Sequence, residues 1–124
     1  MKRVHDDYLH DMLENAEKAL SFVEGMDYDE FEADDKAVYA VIRAFEIIGE
    51  AAKNIPKPLQ AEYNEVPWQD MAKLRDKISH FYFGVKYEIV WKVVRERLPS
   101  IKMAAGKMLK DLSGEKPIKP SIEG

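Results

Sequence analysis

Arg75-Asp76-Lys77-Ile78-Ser79-His80-Phe81-Tyr82, with Gly84 close behind, is the densest chemistry in this chain. Within about two helical turns it gathers a guanidinium, a carboxylate, an ammonium, a hydroxyl, an imidazole and a phenol. Those groups suit a phosphodiester. Cleaving RNA needs no metal when the 2′-hydroxyl attacks the adjacent phosphorus. It does need a group that moves protons near neutrality and a fixed cation against the charge growing on the phosphorane. His80 fits the first role, since an imidazole titrates near pH 6.5 and keeps both forms populated. Arg75 fits the second, because its planar fork matches phosphate oxygens and stays charged.

The same stretch also fits an ordinary helix end. His80 could be a cation that suits the C-terminal dipole. Arg75 and Lys77 could be exposed charges, and Phe81, Tyr82 and Phe83 core aromatics. Geometry constrains the catalytic alternative. Five residues along a helix turn through about 500°, so Arg75 and His80 project about 140° apart. They converge on one phosphate only if the helix loosens near His80 or a second protomer supplies the complementary group. The other two histidines, His5 and His10, fall in a distant N-terminal segment. A two-histidine acid–base pair is therefore most easily built across a two-fold axis.

The elements that must position these groups all read as helices. From Lys2 to about Glu24, Val4, Tyr8, Met12, Ala16, Leu20 and Val23 recur at helical spacing, and Gly25 is a suitable stop. Asp27 to Asp35 is acidic and predicts a short piece that tucks Tyr28 and Phe31 against the core. Its carboxylates follow no calcium-loop spacing, so a solvated surface is expected there and no metal site. Asp34 or Asp35 then caps a second long helix reaching Asn54. That helix is apolar on two stripes, with a polar seam of Arg43, Glu46, Glu50 and Lys53. It must be covered on two sides, one of which could be another copy of the chain, and Glu50 could line a cleft.

Pro56 ends this helix and Pro58 can open a short one. A third substantial helix runs from Trp68 to about Phe83, terminated by Gly84. The last extends from about Lys86 to Leu112, with Pro99 expected to kink it or split it in two. The tail from Ser113, with Pro117 and Pro120, has no periodicity and is expected to be disordered. The expectation is an all-α, up-and-down bundle over residues 1–112, built from four main helices plus short helical pieces.

Composition narrows the function. The 124 residues suffice for one domain with a modest core, and the absence of cysteine excludes disulfides, thiolate metal sites and a cysteine nucleophile. No apolar run approaches the roughly 20 residues of a membrane span. The start, Met1-Lys2-Arg3-Val4-His5-Asp6-Asp7, turns acidic where a signal peptide turns apolar, so a soluble cytoplasmic protein is expected. Net charge is -4, with ten Lys/Arg against eighteen Asp/Glu in residues 1–85 and nine against five in residues 86–124. Loose, non-specific nucleic-acid binding is thus unsupported, and any RNA contact must be a local basic site.

Arg75-x-x-x-x-His80-x-Tyr82 resembles the signature of the HEPN superfamily, in the extended form of the HepT-like ribonuclease toxins. The wider phrase from Leu74 to Val85 is similar to that branch, as are Ile48-Gly49-Glu50-Ala51-Ala52-Lys53 and Trp91. The resemblance spans about residues 2–112. It implies a metal-independent endoribonuclease that needs no cofactor, with Arg75 and His80 catalytic at a site between two bundles of a homodimer. It implies that Asp76 orients Arg75 or His80. Beside it, Ser79 and Lys77 are weaker candidates for RNA contact, with Ser79 also placed as a supporting residue. Tyr82 occupies the position to which a partner antitoxin, a minimal nucleotidyltransferase of the MNT type, transfers AMP from ATP. The chain would then be the toxin of a toxin–antitoxin pair, silenced when anionic phosphate competes for Arg75 and adenosine blocks the cleft. A non-catalytic HEPN module that dimerises and binds a nucleotidyltransferase or nucleotide is the alternative, motivated by the acidic pI of about 5.4. A plain helical structural protein is a third reading.

Overall fold

Apolar periodicity near 3.6 residues produces helices throughout the computed structural model, which describes residues 5–81 and 87–114. Among these residues there are seven α-helices and no strand: α1 His5–Phe22, α2 Tyr28–Ala33, α3 Asp35–Lys53, α4 Lys57–Glu62, α5 Trp68–Phe81, α6 Tyr87–Glu96 and α7 Leu98–Gly114. The protein is an all-α helical bundle. Helix α3 lies between α1 and α5, and α1 also packs on α7.

Helix α1 buries Leu9, Met12, Ala16 and Ala19, a 3–4 spacing that places one stripe inward. Asp6 and Asp7 lie in its first turn, where carboxylates favour the positive end of the helix dipole. Past its end, Gly25 takes φ +79°, a left-handed conformation that side chains disfavour.

The acidic segment is mostly helix caps. Asp27 and Glu30 form a reciprocal capping box at α2, with each backbone N–H donating to the other side chain at 2.9 Å. Asp34 ends α2 and caps α3, accepting from the Ala37 N–H at 3.0 Å. Phe31 is fully buried with its ring centroid 5.0 Å from that of Trp91, and Tyr28 meets Trp91 edge-on at 6.4 Å. The short acidic piece thus pins two rings to α6, as its sequence suggests.

Helix α3 buries Ala37, Val38, Val41, Ile42, Ala44, Phe45, Ile48, Gly49, Ala51 and Ala52. This chain's own α1 and α5 pack on it, with help from α2 and α6, and on the second stripe Ala44 and Ala51 are buried while Ala40 and Ile47 are half-buried. What α3 leaves outside is its polar seam and Tyr39, which is 69% exposed.

Pro56 caps α4, and Pro58 sits in its first turn, where its missing N–H is no loss. The Trp68 indole N–H then donates to the carbonyls of Gln60 and Tyr63, both at 3.1 Å, fixing the entry to α5. The final helical stretch is split rather than kinked. It breaks at Arg97, and Pro99 becomes the second residue of α7. A proline ring clashes with the carbonyl four residues back, so the break precedes it. Helix α7 continues to Gly114, two residues beyond the expected Leu112. The rest of the tail, and the expected stop at Gly84, lie outside the described residues.

Candidate active site

The site grows from the crossing of α3 and α5. At Gly49 the two helices meet almost backbone to backbone. A Cβ built there would stand 2.7 Å from Arg75 Cβ, 2.9 Å from the Met71 carbonyl oxygen and 3.2 Å from Arg75 N. Only glycine permits that approach. One residue further on α3, Glu50 Oε1 lies 3.0 Å from Arg75 Nε, with both side chains about half exposed.

This ion pair forms part of the wall of a cleft of about 510 Å³. Tyr8, Asp11 and Asn15 of α1 line one side; Arg43, Glu46, Ile47, Glu50 and Ala51 of α3 form the floor; Arg75 of α5 closes the other side. Both arginines of the cleft pair with α3 carboxylates, Arg75 with Glu50 and Arg43 with Glu46 at 3.2 Å. Asn15 donates from Nδ2 to the Asp11 carbonyl at 2.8 Å, which fixes its amide along the rim. Two cations against three carboxylates make a mixed, polar surface. Such a surface does not attract polyanions broadly.

Arg75 and Asp76 are exposed on α5. Lys77, Ser79 and His80 follow on the same helix, but their side chains lie outside the described residues, as does Tyr82 entirely. Helix α5 remains α-helical through Phe81, so the loosening near His80 that could bring both groups to one phosphate is not present up to that point. Trp91, singled out by the resemblance, packs among Tyr28 and Phe31, and the Arg95 guanidinium stacks 5.7 Å above its ring. That places it in the scaffold, away from the cleft. The sequence reading missed Gly49 as the seat of Arg75 and missed Tyr8, Asp11 and Asn15 as a wall. A signal for the first was present: glycine inside a strongly apolar helix costs about 1 kcal/mol against alanine, and close approach is a common reason for it.

The described residues form an all-α helical bundle, and its α5 carries Arg75 and, five residues on, His80. The family model described as "Ribonuclease HepT-like" matches residues 12–108, and the chain belongs to the HepT-like ribonuclease family. It is 48% identical over 102 residues to "Probable ribonuclease HepT" of Thermococcus cleftensis, covering 82% of this chain and 93% of that protein. It is 44% identical over 108 residues to "Putative RNase MJ0127" of Methanocaldococcus jannaschii, covering 87% and 89%. It is also 36% identical over 102 residues to "Putative RNase TTE0752" of Caldanaerobacter subterraneus, covering 82% and 91%. No solved structure matches the chain significantly. Among the described residues, no helix is long and apolar enough to cross a membrane.

Proposed function

We propose that this chain is a metal-independent endoribonuclease and the toxin of a two-component toxin–antitoxin pair. The observation that carries the reading is the family match over residues 12–108, which encloses Arg75-x4-His80-x-Tyr82. In this reaction the 2′-oxygen attacks phosphorus, the bond to the 5′-oxygen breaks, and a cyclic phosphate and a 5′-hydroxyl result. His80 moves the proton at the attacking or leaving oxygen, and Arg75 offsets the charge on the non-bridging oxygens. Asp76 and Ser79 support these two, and Lys77 meets the RNA backbone. Arg75's place on a cleft wall supports its role.

The working unit of this reading is a homodimer. On a regular helix, positions 75 and 80 are about 140° apart, so the proton-transfer group and the cation are most simply brought together from two copies. The antitoxin is an MNT-type nucleotidyltransferase that transfers AMP from ATP to the Tyr82 hydroxyl, with pyrophosphate leaving. Intact mass after treatment with that enzyme and ATP should rise by whole AMP units in the parent protein and stay unchanged in Tyr82→Phe.

The decisive test is RNA cleavage by purified protein in the presence of EDTA. Cleavage should occur, and Arg75→Ala and His80→Ala should each abolish it. Full activity in both variants would sink the assignment. A protein that binds the nucleotidyltransferase but never cuts RNA would instead be the non-catalytic dimerisation module.

A further inference from the structure

The cleft contains one arrangement that the motif does not describe. Glu50 belongs to α3, 25 residues before Arg75, yet its Oε1 meets Arg75 Nε at 3.0 Å. The bond engages the nitrogen set back from the guanidinium's terminal fork. A carboxylate at Nε fixes the plane of the group, and the two terminal nitrogens are the edge that matches a pair of phosphate oxygens.

Two further contacts distinguish this pair from an ordinary surface ion pair. The Arg75 backbone is seated on Gly49, so the base of the side chain is fixed relative to α3. Glu50 is itself steadied by Asn54, the C-cap residue of α3, whose Nδ2 lies 3.4 Å from Glu50 Oε2 and 2.9 Å from the Glu50 carbonyl oxygen. The chain of contacts thus runs from the helix cap through the carboxylate to the guanidinium. By contrast, Glu14 and Lys18 pair at 3.1 Å along one turn of α1, with no such support and no place in the cleft.

We propose that Glu50 is a positioning residue that holds the Arg75 guanidinium by its Nε edge, so that its terminal fork faces the scissile phosphate. The proposal rests on the reading of Arg75 as the phosphate-facing cation. Its consequence is a split between turnover and binding. Glu50 puts a negative charge near the phosphate, so it does not help RNA to bind. It helps the transition state, by holding the cation still while charge develops.

The experiment is steady-state RNA cleavage and thermal unfolding of the full chain and its variants. Glu50→Ala should lower kcat roughly 10- to 100-fold with KM unchanged or lower, the scale expected for a misplaced catalytic group. Glu50→Gln, which keeps an acceptor oxygen for the Nε–H, should recover most of that loss. Glu14→Ala should behave as the parent protein does. In an Arg75→Lys background, which lacks the Nε–H, adding Glu50→Ala should cost much less than it does in the parent. Several results would overturn the proposal. If Arg75→Ala is inactive while Glu50→Ala matches the parent in kcat and KM, Arg75 keeps its role and Glu50 has none. A raised KM with unchanged kcat would make Glu50 an RNA contact instead. A loss explained by unfolding at the assay temperature would make the pair structural. If the parent protein itself does not cut RNA, the reading of Arg75 fails and this proposal fails with it.

Discussion

Gly49 of α3 and Arg75 of α5 meet so closely that a Cβ on the glycine would stand 2.7 Å from Arg75 Cβ. That contact joins the fold to the chemistry, because the residue seated on the glycine carries the cation of the site.

Gly49→Ala follows as the first prediction. Alanine gains about 1 kcal/mol over glycine in a helix interior. Against that, the added methyl meets the Met71 carbonyl oxygen at 2.9 Å as well as Arg75, and backbone cannot yield as a flexible side-chain tip would. Overpacking of this kind costs about 1–3 kcal/mol. The expected outcome is a net loss of stability in urea unfolding, with RNA cleavage falling further than stability because α5 is displaced at Arg75. A stability gain would show that the crossing has room to spare.

The ring cluster at α6 gives a second prediction. Phe31 is fully buried against Trp91, so Phe31→Ala should cost roughly 3–5 kcal/mol. Tyr39, on the neighbouring α3, is 69% exposed, and Tyr39→Ala should change stability by no more than about 0.5 kcal/mol. Denaturant midpoints of the two variants compare them directly. Similar losses in both would mean that Tyr39 is covered in solution, as it would be if a dimer formed over the α3 seam.

Helix capping supplies a third. Asp34 closes α2 and accepts from the Ala37 N–H at the start of α3. Asp34→Ala should cost about 1 kcal/mol, while Asp34→Asn or Asp34→Ser should retain most of it. Thermal unfolding of the three variants checks the order.

These residues also show what could be read from the chain alone. Helix spans were legible because burial on a helix imposes its period on the sequence, as at Leu9, Met12, Ala16 and Ala19. Proline was legible at Pro56 and Pro58, and the break near Pro99 followed from the same chemistry. What α3 packs against was not legible. Its width of apolar surface says that two covers are needed, but not that α1 and α5 of the same chain pack on it. The site divides the same way. Arg75 stands out by type and spacing within its own helix. Its pairing with Glu50 depends on where two helices cross, and that crossing is set by a missing side chain at Gly49. Tyr8, Asp11 and Asn15 carried no signal, because their meeting with Arg43 and Arg75 exists only once three helices are assembled.

The tie between the α4–α5 connector and α7 makes the last prediction, one of pH. The Tyr63 hydroxyl donates to Asp111 Oδ2 at 2.8 Å, joining the segment before α5 to the last helix. That hydrogen bond, aided by Lys107, holds the Asp111 carboxyl below its ordinary value despite some desolvation. A depressed carboxyl binds its proton less readily in the folded state than in the unfolded chain. Its stabilisation is therefore fully present above the ordinary carboxylate value of about 4 and is lost as pH falls from there through the lowered folded value. Urea unfolding between about pH 5 and pH 2 should show stability falling with acid. In Tyr63→Phe, which keeps the ring and removes the donor, the part of that fall due to Asp111 should shrink. Asp111→Asn, which also removes the carboxylate that Lys107 meets, should shrink it further, and adding Tyr63→Phe to Asp111→Asn should change the slope little. An acid-side slope identical in the parent and Tyr63→Phe would show that the hydrogen bond is not what lowers the Asp111 carboxyl.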